Sequence, residues 1–208
     1  MGVGKRTVDE YLEALASPSP TPGGGSVAAL CGALSAALSR MVSGLAVGKE
    51  GYESVQADLS DLQGRAKALQ DRLLRLADED AAAYDSVIAA MRLPKKTDAE
   101  RAVRVEAMQG AYRHATEVPL ETMAACAEAL GFALMAAQKG NRNAITDAGV
   151  AALTAEAGIR AASLNVRINL TALRDNELRS RIEDRLAAIL RDADRVGHET
   201  MALVEGRL

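Results

Sequence analysis

The 208-residue chain is poor in aromatic residues, with no Trp, one Phe and four Tyr, and it contains only two Cys and two His. Sheets favour aromatic and β-branched residues, so this scarcity, beside abundant Ala and Leu, favours helices packed on helices. Cys31 and Cys126 stand apart in Ala-rich segments without C-x-x-C spacing and are expected to be small core residues in a reducing compartment. Because His114 and His198 are isolated, neither a metal site nor a Ser-His-Asp group is expected.

Charge and hydropathy exclude two further classes of protein. The formal net charge of −3 is too small to indicate non-specific nucleic-acid binding. The N-terminal segment has early acidic residues and no apolar run, so no signal peptide and a cytoplasmic location are expected. Residues 27–47 have membrane-spanning length, but Arg40 interrupts them and small residues dominate. We therefore expect no membrane segment there but a close-packed helix at the centre of a soluble bundle or dimer.

Capping signals and apolar periodicity divide the chain into helices. Thr7 with Glu10 and Thr97 with Glu100 have capping-box spacing, and Pro94 ends the helix before it. We expect helices over residues 8–16, 27–48, 52–91, 98–116, 119–139, 146–173 and 176–205. We also expect Ser26 to cap the second helix. Pro119 is expected to open or kink the helix that ends near residue 139, and Gly140 to end that helix as a left-handed cap. No strand-like alternation, repeat or linker occurs, so residues 1–208 are predicted to form an all-α, single-domain, up-and-down helical bundle with long central helices.

A proline-rich arm and a glycine turn precede the second helix. Three prolines at alternate positions are followed by Gly23, Gly24, Gly25 and Ser26. A stiff arm, a flexible turn and a helix N-terminus can together bind an anion. The spacing matches neither G-x-G-x-x-G nor a P-loop, so a simple loop and cap is the alternative.

Asp80 occupies a position where the second long helix, residues 52–91, requires an apolar residue. It stands on the stripe between Leu76 and Tyr84, whereas Asp78 and Glu79 fall off the stripe and are expected to be solvated. A carboxyl group that points into a core is costly, and desolvation raises its pKa. Asp80 is therefore a candidate general acid, and a structural ion pair with an arginine is the alternative.

Three further polar groupings are candidate sites. Asn141, Arg142, Asn143, Thr146 and Asp147 crowd the start of one helix, where capping is the ordinary explanation. In that helix Asn165 and Asn169 share one face and either bond across helices or face a pocket. Arg92, Lys95 and Lys96 lie at a break between helices, where a solvated cluster is usual.

Six segments in this order resemble the cyclodeaminase/cyclohydrolase family: PTPGGGSVAAL, DEDAAAY, RLPKKT, VPL, GNRNAITDAGVAA and LNVRINL. The family comprises the C-terminal domain of formimidoyltransferase-cyclodeaminase and stand-alone methenyltetrahydrofolate cyclohydrolases. The resemblance covers residues 11–190 and does not extend to the family's formimidoyltransferase half, which we therefore do not expect here. It implies an all-helical fold, a homodimer or higher oligomer, and a tetrahydrofolate one-carbon derivative, possibly polyglutamylated, as substrate. It implies no cofactor and no metal.

The resemblance also implies roles for individual residues. Asp80 matches the second Asp of the family's D-x-D-A motif and would be the catalytic acid. Asn141, Asn143 and Asp147 match the G-N-x-N-x-x-S-D motif, with Thr146 in place of Ser. Asp147 would be a second catalytic residue that stabilises the cationic one-carbon group or relays protons.

Substrate contacts are implied less directly. Gly23, Gly24, Gly25 and Ser26 match the family's P-G-G-G-S turn, and Lys95 matches R-L-P-K. The other candidate contacts are Arg142, Asn165 and Asn169. Candidate partners for the folate carboxylates are Lys95, Lys96, Lys139 and Arg142. Since aromatic residues are scarce, we expect the pterin to lie between aliphatic side chains and amides.

Cyclodeamination of formimidoyltetrahydrofolate, with release of ammonia protonated by Asp80, is our first expectation from the sequence. The alternative is a methenyltetrahydrofolate cyclohydrolase, in which water opens the same one-carbon bridge. A non-catalytic helical dimer that binds folate or scaffolds a partner is the hypothesis from another class.

Overall fold

Six α-helices account for most of the chain in the computed structural model, which describes residues 2–208. Their bounds are α1 Val8–Ala16, α2 Gly24–Gly44, α3 Gln56–Met91, α4 Asp98–Lys139, α5 Ile145–Leu170 and α6 Asn176–Glu205. Short 3-10 turns span Val3–Lys5, Glu53–Val55 and Arg142–Ala144, and no strand forms in the described residues. The predicted all-α class and the long central helices are confirmed.

Helices α2, α4 and α5 pack against one another, α3 packs against α2 and α4, and α6 covers α4 and α5. Alanine dominates their buried faces, together with Leu62, Leu73 and Met123, which are fully buried. Glycine allows the closest approach: a Cβ atom at Gly158 would lie 2.8 Å from both Ala28 O and Cys126 Sγ. The core is therefore made by close approach of helix backbones, which is why it needs so few aromatic side chains.

Both predicted capping boxes form. Thr7 Oγ1 accepts from the Glu10 N–H, and the Glu10 carboxylate accepts from the Thr7 N–H. Thr97 and Glu100 exchange the same two bonds at the start of α4. The predicted bounds of α1 and α6 are confirmed, because these caps and the Asp175 cap of α6 act locally.

The prediction that a separate helix opens at Pro119 is wrong. The helix runs through this residue without a break over 42 residues. Proline has no N–H, so the carbonyl of Ala115, four residues earlier, loses its helical partner. Asn169 Nδ2 on α5 donates to Ala115 O at 2.6 Å and replaces the missing bond. A neighbouring helix thus compensates for the proline.

Two predicted helix caps are also wrong. Gly23 is the N-cap of α2, and Ser26 lies in the first turn, fully buried. Gly140 has φ −76° and not a left-handed conformation; a Cβ there would overlap Ala136 O and lie 2.7 Å from Val42 Cγ1. Glycine is needed at 140 because α2 passes too close for a side chain.

The remaining differences are at helix ends. Helix α2 stops at Gly44, before the predicted limit near residue 48, and the chain turns through Gly48 and Gly51, which have positive φ. Helix α3 begins at Gln56 after a 3-10 turn, and α5 ends at Leu170. Glycine takes the left-handed backbone without steric cost, which explains the turn between α2 and α3.

Helices α2 and α4 each contain a window that is long and apolar enough to cross a membrane. More than half of each window is buried inside the bundle, 56% in α2 and 61% in α4. Such burial is typical of core helices in soluble proteins, which pass the same test of length and composition.

Candidate active site

A cavity of about 620 Å³ opens between the N-terminus of α2, the end of α3 and the end of α5. This volume is in the range of pockets that hold small molecules. Its polar lining comprises Thr21, Gly23, Gly24, Gly25, Asp80, Tyr84, Tyr112, Asn165, Asn169 and Thr171. Its apolar walls include Val87, Ile88, Met91 and Ile168.

Asp80 lies on the α3 wall of this cavity, half-buried, against the first turn of α2. The Ser26 N–H donates to its carboxylate, which thereby takes the place of an N-cap side chain. A Cβ atom at Gly25 would overlap the carboxyl group, so only glycine allows this approach. The Ser26 hydroxyl is in turn hydrogen-bonded to the Tyr11 hydroxyl at 3.2 Å.

Burial raises the pKa of Asp80 above its ordinary value of 3.8, and the bond from the Ser26 N–H opposes that rise. No Lys or Arg of residues 2–208 forms an ion pair with Asp80, so the structural ion pair is not observed. As predicted, Asp78 and Glu79 are exposed, and Asp78 accepts from the Val3 N–H. The interruption of the apolar stripe of α3 by Asp80 therefore identified the one carboxylate that lines the cavity.

Asn165 and Asn169 form the opposite wall. Asn165 Nδ2 donates to Ala161 O of its own helix, and Asn169 Nδ2 donates across to Ala115 O on α4. Both residues therefore line the cavity, as one alternative predicted, and Asn169 alone also bonds across helices, as the other predicted. With their Nδ2 groups engaged, the two amides can present carbonyl oxygens to a ligand or a water molecule.

Two of the four tyrosines, Tyr84 and Tyr112, line the cavity. The pterin was expected to lie between aliphatic side chains and amides, and the cavity lining contains these two tyrosines as well. Tyr84 stands four residues after Asp80, so its position on the α3 stripe was a usable signal. Tyr112 had no such signal, because only the packing of α4 against α3 and α5 directs it into the cavity.

Gln109 of α4 makes two hydrogen bonds to the segment that follows α5 and lines the cavity. Gln109 Nε2 donates to Ala172 O at 2.9 Å, and Gln109 Oε1 accepts from the Arg174 N–H at 2.8 Å. Thr171 and Ala172, which line the cavity, are held in place by these two bonds. Sequence reasoning did not identify Gln109.

The GNRN segment does not meet Asp80 in this chain. Asp147 is 18 residues from Asn165 on α5, a separation of about 27 Å at 1.5 Å per residue. Asn141 instead joins two helices: its N–H donates to Val42 O, and its Nδ2 donates to Leu45 O. Its Oδ1 accepts from the Asn143 N–H, as in a cap. In the single chain this segment is a structural junction.

The predicted cations also lie outside the cavity lining. Arg142 is exposed, and its backbone N–H donates to the Tyr52 hydroxyl. Lys139 forms an ion pair with Asp58. The exposed Lys95 lies in the segment between α3 and α4. Among the described residues no group of three or more His, Cys, Asp or Glu side chains could hold a metal ion.

This arrangement can handle a proton next to a bound polar group. A carboxyl group with a raised pKa can donate or accept a proton near neutral pH. The Asn oxygens can orient a nucleophile or stabilise a positive charge, and the tyrosines offer flat apolar contact.

Comparison with known proteins identifies the family of this chain. Residues 7–188 match the formiminotransferase-cyclodeaminase family. Over 205 residues the chain is 40% identical to a methenyltetrahydrofolate cyclohydrolase of Methylorubrum extorquens, covering 99% of both chains. It is 33% identical to the chicken formimidoyltransferase-cyclodeaminase, of which it spans 38%.

A solved structure has the same fold. The crystal structure of a formiminotetrahydrofolate cyclodeaminase from Thermotoga maritima superposes with a TM-score of 0.89 at 25% identity, with 98% of each chain covered. Because the family match extends over most of the chain, and the cyclohydrolase relative is covered from end to end, the chain belongs to the formiminotransferase-cyclodeaminase family.

Proposed function

We propose that this protein is an enzyme of reduced-folate one-carbon metabolism that hydrolyses methenyltetrahydrofolate to formyltetrahydrofolate. The observation that carries the proposal is the position of Asp80, a half-buried carboxylate with a raised pKa on the wall of a cavity of about 620 Å³. Sequence reasoning alone placed deamination first. The 40% identity to a cyclohydrolase, over 99% of both chains, now favours hydrolysis.

Hydrolysis needs a group that takes up a proton and returns it. Water attacks the methenyl carbon, and the ionised Asp80 carboxylate accepts a proton from the attacking water. The tetrahedral carbon then breaks one of its two C–N bonds while Asp80 returns its proton to the leaving nitrogen. The hydroxyl becomes the formyl carbonyl and releases one proton to solvent, so the cation and water yield the neutral product and a proton. General acid–base catalysis of this kind contributes about 10²- to 10⁴-fold.

Cyclodeamination at the same site is the second candidate function, and the similarity to the Thermotoga maritima cyclodeaminase favours it. There the aniline nitrogen attacks the formimidoyl carbon, and Asp80 protonates the departing ammonia. Both reactions pass through a tetrahedral carbon that needs one proton-handling carboxyl group.

One assay separates the two activities. The purified full chain is mixed with methenyltetrahydrofolate in one cuvette and with formimidoyltetrahydrofolate in another, and the absorbance of the methenyl compound is followed. We expect it to fall faster than the spontaneous rate in the first cuvette. A rise accompanied by ammonia in the second cuvette alone would establish deamination. Folded protein that is inactive in both would leave the binding or scaffold hypothesis.

We propose that the enzyme works as a dimer in the cytoplasm. Helices α2 and α5 lie side by side and expose an apolar stripe of Leu34, Met41, Leu45, Val150, Leu153, Leu164 and Ile168. The only charged side chain of α2, Arg40, turns away from the stripe and donates to Gln70 on α3. A second copy would bury this apolar stripe.

A further inference from the structure

The connection between α5 and α6, residues 171–175, forms part of the wall of the cavity that holds Asp80. It contains no helix, and Thr171 and Ala172 line the cavity. Two tight turns join it to the end of α5, through the N–H groups of Ala172 and Leu173. Leu173 is buried in the core, whereas its neighbours lie at the surface. The position of this wall therefore depends on what holds the backbone on either side of Leu173.

One side chain of α4 bonds to the backbone on both sides of Leu173. Gln109 Nε2 donates to Ala172 O at 2.9 Å, and Gln109 Oε1 accepts from the Arg174 N–H at 2.8 Å. A primary amide carries a donor and an acceptor on one planar group, as the peptide backbone does. An ionised glutamate lacks the donor and a lysine lacks the acceptor, so neither could make both bonds.

Two further links join α4 to this part of the chain, and neither replaces Gln109. Arg113, one turn later on α4, approaches the Asp175 carboxylate at 3.8 Å, and both side chains are about half exposed. Exposed ion pairs of this kind contribute little. Asn169 also bonds to α4, but it holds the last turn of α5 and not the connection that follows. Gln109 is therefore the principal hydrogen-bonded tether of residues 171–175.

Gln109 does not itself line the cavity, so any effect on a ligand passes through Thr171 and Ala172. The proton-handling group is supported separately, because Asp80 lies on α3 and accepts from the Ser26 N–H of α2. Loss of the tether would therefore leave Asp80 in place and free the wall at the end of α5. Only the fraction of molecules with that wall in place would then bind the substrate well, and the apparent affinity would fall by that fraction.

We propose that Gln109 is a positioning residue for substrate binding. By holding residues 171–175 against α4, it keeps the cavity wall in place at the end of α5. Without its two bonds the substrate binds more weakly, while the chemical step at Asp80 is unchanged. The proposal rests on the folate function proposed above and concerns the same cavity. A purely structural role would lower the free energy of unfolding and leave KM unchanged, so kinetics distinguishes the two roles.

The test compares the steady-state kinetics of the wild type and Gln109→Met, in which the side chain keeps its length and loses both bonds. The substrate is methenyltetrahydrofolate, or formimidoyltetrahydrofolate if the wild type turns over only that compound. We expect KM to rise about three- to thirtyfold, the range for the loss of two net hydrogen bonds, and kcat to stay within about twofold. Titration calorimetry with tetrahydrofolate, which lacks the one-carbon group, should show a similar loss of affinity.

The matched control is Gln70→Met. Gln70 is also a half-buried glutamine that bonds to a neighbouring helix, since it accepts from Arg40 Nη1 at 3.0 Å, but it does not line the cavity. This variant should unfold at a lower urea concentration than the wild type and keep the wild-type KM.

Folded Gln109→Met with the wild-type KM and affinity, or with a loss confined to kcat, overturns the positioning role and leaves the folate function intact. If Gln109→Met does not fold, Gln109→Glu makes the same comparison. It keeps an acceptor for the Arg174 N–H but has no donor for Ala172 O, so KM should again rise. If the folded wild type turns over neither folate, the proposed function fails and the positioning role with it.

Discussion

Asn169 of α5 donates its side-chain amide to the carbonyl oxygen of Ala115, the one carbonyl of α4 that Pro119 leaves without a helical partner. The proline therefore creates an acceptor in the middle of a continuous helix. Since Asn169 also lines the cavity, this bond connects the continuity of α4 to the position of a candidate ligand contact.

Asn169→Ala should lower the free energy of unfolding by about 1–3 kcal/mol, because it leaves the Ala115 carbonyl unpaired in a buried place. In a Pro119→Ala background the loss should shrink, since the new N–H can bond to Ala115 O. Urea unfolding of the four proteins in this double-mutant cycle measures the coupling. Asn165→Ala is the control, because the Asn165 amide bonds within its own helix and should show no coupling to position 119.

Asp80→Asn should remain folded and lose about 10²- to 10⁴-fold in kcat, because the amide cannot accept and return the proton. Its oxygen can still accept from the Ser26 N–H, so local structure is preserved. Turnover of methenyltetrahydrofolate measures the loss in kcat, and circular dichroism of the same samples checks that the variant is folded. Asp78→Asn, two residues away on an exposed face, is the matched control. Near-wild-type turnover by the Asp80 variant would remove this residue from the mechanism.

The stability of the wild type should fall relative to Asp80→Asn as pH rises from about 4 towards neutrality. Because burial raises the folded-state pKa of Asp80 above its ordinary value of 3.8, the fold favours the protonated carboxyl group. That contribution is complete below the unfolded pKa and is lost as pH rises through the folded pKa. Urea unfolding of both proteins across this range measures the difference. A difference that does not vary with pH would show that the pKa is not raised.

Gly25→Ala should reduce turnover, because its Cβ would occupy the space of the Asp80 carboxyl group and displace it. We expect kcat to fall by at least about tenfold, which corresponds to a loss of about 1.4 kcal/mol of transition-state stabilisation. Gly64→Ala on α3 is the control: its Cβ meets nothing within 4 Å, and alanine favours the helix. If both alanine variants keep full turnover, the close approach at Gly25 is not needed to position Asp80.

Leu164→Glu should convert a dimer into a monomer, because it places a charge in the exposed apolar stripe of α2 and α5. The side chain is 65% exposed in the single chain, so the change should not disturb the core. Sedimentation velocity measures the oligomeric state. Val103→Glu, at a comparably exposed position of α4, is the control and should remain a dimer. A wild-type monomer at micromolar concentration would contradict the proposed dimer.

Local signals in the sequence were sufficient to predict the capped helix starts and to single out Asp80 as the most informative site residue. The capping boxes at Thr7 and Thr97 act within one turn, so helix starts could be predicted without knowing any neighbour. Asp80 was identified because a carboxylate interrupted an apolar stripe, and such periodicity depends only on the geometry of its own helix.

Only the tertiary structure decided the features that depend on partners from distant segments. Pro119 stays within α4 because Asn169, fifty residues later, bonds to the freed carbonyl, and Asp80 takes the N-capping role that local reasoning gave to Ser26. Asp147 lies far along α5 from the cavity, although its motif had grouped it with Asp80. Helix packing fixes which side chains meet, and no local pattern contains that information.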